Sequence, residues 1–246
     1  MKEVRFFYAP DAETSNELPQ DEAMHATRVL RLKGGDEIML MDGRGNFYSA
    51  EVTIAATHHC YYELKAKLPQ PPQWAGHLHL AMAPTKMIDR VEWLAEKATE
   101  VGIDELSFLD CAFSERHVVK QSRIEKIVVS AVKQSRKPFI PRINEMATFR
   151  SFVASQHQET HRYIAHCYDE IPRTDLFEAL CQLPAGADAL VLIGPEGDFS
   201  VGEVEEAQQA GFVSVTLGRS RLRTETAALS AVMMMQLAQR VPRIPR

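Results

Sequence analysis

The chain has 246 residues, 45% of them hydrophobic and 25% charged, with a formal net charge of −5. This is the composition of an ordinary globular protein with room for two domains, and no run of about 18 apolar residues marks a membrane span. The negative charge argues against a chain coated with nucleic acid, so an RNA site has to be a local basic patch. With no signal-peptide pattern, a cytoplasmic protein is expected. Cys60, Cys111, Cys167 and Cys181 form no C-x-x-C pair, which speaks against zinc, and a reducing compartment leaves them free of disulfides.

Taken in order, residues 1–68 read as a small β-rich domain. Val4–Tyr8 is a candidate strand; Glu37–Met41 and Phe47–Ile54 flank the hairpin signal Asp42-Gly43-Arg44-Gly45; Tyr61–Leu68 alternates as a further strand. Asp21–Leu30 predicts a short helix, with His25, Arg28 and Arg31 at spacings of three on one face. The bland reading of that face is a solvated basic surface. Pro69-Gln70-Pro71-Pro72-Gln73 is a stiff linker that places the domain boundary, giving domains 1–72 and 73–246.

Beyond the linker the pattern alternates between strand and helix. Leu78–Ala83 predicts a strand, and Lys86–Val101 a helix stopped by Gly102. Met87, Val91, Leu94, Ala95, Ala98 and Val101 form its apolar stripe, and Lys86, Arg90 and Lys97 a basic outer face. Ile103–Leu109 is the next strand. After the loop Ser114-Glu115-Arg116-His117 comes a cation-rich helix over Gln121–Ser135, bordered by Arg136. Thr148–Ser155 and Asp175–Leu183 predict helices around the strand Tyr163–Cys167, and neither His161 nor His166 is assigned a chemical role.

The most informative stretch is Ala189–Met235, two strand–loop–helix units in succession. Ala189–Ile193 has no polar residue, as a strand buried on both faces requires. Gly194-Pro195-Glu196-Gly197 turns the chain, and Ser200 with Glu203 makes a capping box for a helix from Val201 to Ala210, closed by Gly211. Phe212–Leu217 is a second strand ending at Gly218; the cationic loop from Arg219 then leads to an Ala- and Met-rich helix over Thr226–Gln239. Two glycine-containing loops thereby leave the carboxyl ends of strands expected to be neighbours, where open α/β sheets bind ligands. Neither loop fits a phosphate-binding fingerprint, and the only G-x-G, Gly43 to Gly45, lies in the hairpin. Residues 241–246 read as a frayed tail.

The segments IGPEGDFS and LGRSRLRTETAAL closely resemble the paired signatures of the RsmE family, the 16S rRNA (uracil-N3) methyltransferases of the SPOUT class. HATRVLRLKGGDEIMLMDGRGNFYSAEV, KMIDRVEWLAEKATEVGI, SERHVVK and AVKQSRKPFIPRI are similar to further segments of that family, in order. The first signature usually reads IGPEGGFS, so Asp198 stands where a glycine is customary; Asp is one of the few residues that tolerate a positive φ there. Periodicity alone predicts an unknotted doubly wound sheet. The resemblance implies instead a C-terminal α/β domain with a SPOUT-type knotted parallel sheet and flanking helices, preceded by a small PUA-like β-barrel. It further implies S-adenosylmethionine as methyl donor, 16S rRNA or the small ribosomal subunit as partner, and a homodimer whose interface includes the last helix. No metal is called for.

Under that resemblance, Ile193, Gly194, Pro195, Glu196, Gly197, Leu217, Gly218, Leu222 and Arg223 are the expected cofactor-binding residues, with the backbone of Ala165–Cys167 on a third loop. Arg223 is the candidate group for stabilising the uracil imide anion. Glu225 is either the proton acceptor or the structural partner of Arg223. Arg5, His25, Arg28, Arg31, Lys33, Lys86, Arg116 and Arg136 are the candidate RNA contacts, positioning the backbone without reading sequence. The alternatives are a non-catalytic RNA-binding or ribosome-assembly protein on the same scaffold, and a nucleotide hydrolase, which the missing Walker lysine disfavours.

Overall fold

The computed structural model describes residues 4–241, so the tail expected at 241–246 lies, from 242 on, outside the described residues. The chain forms two compact units, Met1–Gln73 with Val129–Ile140, and Trp74–Val128 with Pro141–Arg246.

In the first unit β1 (Arg5–Tyr8) pairs parallel with β2 (Glu37–Met41); β2 pairs antiparallel with β3 (Asn46–Ala56), and β3 with β4 (His59–Pro69). Alternation in β3 sends Tyr48, Ala50 and Val52 into a core with Phe7, Ile38 and Leu40. The Asp42 carboxylate organises the β2–β3 hairpin, accepting from the Arg44 and Asn46 amides at 2.7 and 3.0 Å and from the Tyr48 hydroxyl at 3.2 Å. Between β1 and β2 the expected α-helix is only partly realised: α1 covers Gln20–Met24 and widens into a π turn over His25–Val29. Thr27 accounts for the irregularity, since its hydroxyl donates back to the Ala23 carbonyl at 2.8 Å. Arg31, at φ 55°, is past the helix and does not continue the face of His25 and Arg28.

The second unit carries a seven-stranded, all-parallel sheet. Its strands are β5 (Leu78–Met82), β6 (Glu105–Asp110), β7 (Arg142–Thr148), β8 (His161–Ala165), β9 (Thr174–Asp175), β10 (Ala189–Ile193) and β11 (Val213–Thr216). The order is β7-β6-β5-β10-β8-β11-β9. Burial of all five β10 residues explains why the segment is wholly apolar, each fully buried Val, Leu or Ile contributing about 1.5–3 kcal/mol. Because β8 lies between β10 and β11, the two signature loops do not leave adjacent strands as expected; a third loop stands between them. β7 escaped the sequence reading because an edge strand with mixed burial carries little apolar signal.

The helices are α2 (Ile88–Val101), α3 (Gln121–Ser135), α4 (Phe149–Ala154), α5 (Leu176–Cys181), α6 (Val201–Gln209) and α7 (Thr224–Ala238). In α2 the buried stripe is Val91, Leu94, Ala95, Ala98 and Thr99; Met87 caps the helix from outside, 55% exposed, and Val101 is half-buried. Gly102 ends α2 at φ 120°, and a Cβ there would stand 2.7 Å from both Gln236 Nε2 and the Trp74 ring. Gln236 in turn donates to the Gly102 carbonyl at 2.9 Å, tying α7 to the end of α2. The capping box of α6 forms as expected, Ser200 and Glu203 each accepting from the other's amide.

Candidate functional site

At the carboxyl ends of β8, β10 and β11 three loops enclose a cavity of about 1300 Å3. Residues 193–198, 216–224 and 165–169 line it, so all nine expected cofactor-binding residues face one space. The loops are tied together by side chains. Glu196 Oε1 accepts from the Lys86 amide at 2.9 Å, joining the β10 loop to the start of α2. Asp198 holds φ 68°, the positive value that makes glycine customary there, and its carboxylate adds what glycine cannot. Oδ2 accepts from the Cys167 amide at 2.8 Å and Oδ1 from the Phe199 amide at 2.7 Å, bridging the β8 and β10 loops. Arg173 closes the β8 loop on itself, donating to the His166 carbonyl at 2.7 Å and to Asp169 at 2.6 Å.

His166 lines the cavity although its side chain is almost fully buried. Burial pushes its imidazole below the ordinary histidine range against the opposing pull of Asp198, so the ring is neutral at pH 7. Burial and the Asp198 carboxylate together raise the neighbouring Cys167 thiol, which keeps it protonated and unreactive.

The two candidate catalytic residues separate. Arg223 is the N-cap residue of α7; its side chain is exposed at the cavity and has no hydrogen-bond or ion-pair partner among the described residues. Glu225 is buried, 8% exposed, and does not line the cavity. Its partner is Arg90, with Nη1 at 3.4 Å from Oε1, so Glu225 does not hold Arg223. Arg90 itself lines the cavity, whereas the helical pattern assigned it to an outer basic face. The sequence signal for this was Glu225 itself, an acid in the first turn of an Ala- and Met-rich helix, where a buried carboxylate needs a cation.

Arg5, His25, Arg28, Arg31, Lys33 and Arg136 are all exposed in the first unit. The Arg28 guanidinium lies 2.9 Å from a ring nitrogen of His58, and that of Arg136 stacks over Phe6 at 5.3 Å. In the second unit Lys86 is exposed and pairs with Glu115 at 2.7 Å. Arg116 is half-buried and donates to the Thr85 and Lys86 carbonyls, holding the loop before α2.

A family model described as the RNA methyltransferase domain matches residues 72–236, and one described as the RNA methyltransferase PUA domain matches residues 18–64. A curated relative from Rickettsia conorii, a ribosomal RNA small subunit methyltransferase E, is 27% identical over 223 residues, 90% of this chain and 89% of its own. The solved structure of a probable rRNA-methyltransferase from Porphyromonas gingivalis is 41% identical, with a TM-score of 0.89 over 96% of this chain and 99% of that one. That of a ribosomal RNA small subunit methyltransferase E from Neisseria gonorrhoeae, bound to S-adenosyl methionine, is 26% identical with a TM-score of 0.81, covering 96% and 98%.

Proposed function

The chain belongs to the RNA methyltransferase family, matched over residues 72–236, and from that premise we propose that it transfers a methyl group from S-adenosylmethionine to N3 of a uridine in 16S rRNA. The observation that carries this reading is the convergence of both signature loops and the β8 loop on one cavity. The cavity suits a nucleoside joined to an amino acid. Gly218, at φ 106°, lines it with bare backbone, and a Cβ there would meet no protein atom within 4 Å.

S-adenosylmethionine brings an electrophilic methyl on a sulfonium that leaves as a thioether, so the chemistry calls for no metal and no covalent nucleophile. The protein's task is then positioning and charge stabilisation. Backbone groups of 193–197 and 217–222 hold the donor. N3 becomes nucleophilic as the imide anion, whose charge spreads onto two carbonyl oxygens, and the unpaired Arg223 guanidinium offers two donors to it. Glu225 acts as a positioning residue through Arg90 rather than as proton acceptor.

The division of labour we propose is a PUA-like RNA-binding domain over residues 1–72 and a methyltransferase domain over 73–246. Arg5, His25, Arg28, Arg31, Lys33, Lys86 and Arg136 contact phosphates, while Arg116 is left to the loop it holds. Residues 194–235 form the threaded part of a SPOUT trefoil knot, a reading supported by the last strand of that stretch, β11, entering between β8 and β9 rather than at an edge. The working form is a cytoplasmic homodimer joined through α7, on which Met233 and Leu237, four residues apart, remain about half exposed. No helix among the described residues is long and apolar enough to cross a membrane.

Mass spectrometry of small-subunit rRNA incubated with the protein and labelled S-adenosylmethionine tests the activity. One labelled 3-methyluridine is expected. RNA binding without transfer would replace the enzyme with a non-catalytic RNA-binding protein, and light scattering at the monomer mass would remove the dimer.

A further inference from the structure

The opposite end of the same sheet carries a second cluster of titratable groups that methyl transfer does not use. His77 immediately precedes β5, Glu105 opens β6, and Glu159 stands two residues before β8, so all three sit at the amino ends of parallel strands, at the end of the sheet opposite the cavity. We propose that this cluster is a binding site for a divalent transition-metal ion of the zinc or cobalt class, ligated by His77, Glu105 and Glu159.

One donor atom from each of the three residues lies within 4.8 Å of the others. Donors bound to one such ion at roughly 2.0–2.2 Å stand about 3–3.5 Å apart, somewhat closer than the 4.8 Å that bounds the donors here. His77 Nε2 is 3.5 Å from Glu105 Oε2 while the ring's other nitrogen, Nδ1, is 2.7 Å from Glu159 Oε1, so an ion takes one nitrogen and displaces the contact now made there. One imidazole with two carboxylates suits zinc, cobalt or manganese rather than a soft thiophilic ion.

The surroundings supply the outer partners such ligands need. His79 Nδ1 lies 3.1 Å from Glu159 Oε1, and its Nε2 lies 2.8 Å from Ser107 Oγ. Asn144 donates to both Glu105 and Ser107, holding the Glu105 carboxylate across the β6–β7 pair. The His77 amide donates to Asp188 Oδ1 at 2.8 Å, which fixes the backbone of the outermost ligand. His77 is a quarter exposed while the Glu159 side chain is 1% exposed, so an ion enters past the imidazole.

Charge points the same way. Two carboxylates, of Glu105 and Glu159, converge with the His77 imidazole on a space where a dication would offset both charges. Such an ion would be structural, pinning residues 77–79, 105–107 and 157–159 together, and is independent of the methyltransferase reading.

Titration of the full-length protein with Co2+ alone, followed by visible absorption and calorimetry, tests the site. One Co2+ per chain is expected, with a melting temperature that rises with the logarithm of Co2+ concentration. His77→Ala and Glu105→Gln, both at partly exposed positions, should each weaken binding more than tenfold, and Asn144→Ala roughly tenfold. His59→Ala and His117→Ala, at the other histidine–carboxylate contacts, should leave it unchanged. The proposal is overturned if no Co2+ binds, or if it binds equally well to His77→Ala and Glu105→Gln.

Discussion

The two ends of the parallel sheet are built on opposite principles. At the carboxyl end three loops leave backbone and the Arg223 guanidinium facing an open cavity, and no other described residue engages that guanidinium. At the amino end His77, His79, Glu105, Ser107, Asn144 and Glu159 bond one another in a compact polar network. The same parallel strands support both, because all seven point one way and their two ends can diverge independently. Unsatisfied groups are tolerable only where a ligand or water reaches them, so the open end is where chemistry happens and the saturated end is where stability and ion binding reside.

Four changes would break or sharpen this contrast. Arg223→Ala carries the largest expected effect: single-turnover methylation at saturating RNA should slow at least ~100-fold while cofactor affinity stays within a few-fold. A rate close to wild type would take Arg223 out of the mechanism. At the saturated end, Glu159→Gln should lower unfolding free energy by about 1–3 kcal/mol in metal-free denaturant titrations, since it disturbs hydrogen bonds to two histidines. Its cofactor affinity should be unchanged; a large loss would show that the two ends are coupled.

Gly194→Val comes next. A Cβ at that position would stand 2.9 Å from the Phe199 amide, so the β10 loop itself must shift. Cofactor affinity measured calorimetrically should fall about tenfold or more, equivalent to about 1.4 kcal/mol, with the N-terminal unit still folded. Unchanged affinity would remove this loop from the cofactor site. The smallest effect belongs to Asp198→Gly, which restores the customary residue and removes the bond to the Cys167 amide. A cost of about 0.5–1.5 kcal/mol in cofactor binding is expected, and tighter binding instead would mean that the carboxylate opposes the ligand.

Much of this was legible from the chain. The capping box at Ser200, the positive φ at Asp198 and Gly211, the apolar β10 and the Asp42 hairpin are local effects, written in residues a few positions apart. The nine positions expected from motif resemblance to bind cofactor all line one cavity. The π turn after α1 was not legible, because it depends on one Thr27 hydroxyl competing for the Ala23 carbonyl.

By itself the sequence determined where most of the strands, loops and helices lie, β7 and β9 excepted, since glycine, capping residues and apolar periodicity act within a turn or two of the chain. Only the tertiary structure decided that β8 separates β10 from β11, that Arg90 rather than Arg223 meets Glu225, and that His77, Glu105 and Glu159 converge. Those facts rest on pairing between strands tens of residues apart, and strand order is selected by the burial of the whole sheet, which no local pattern encodes.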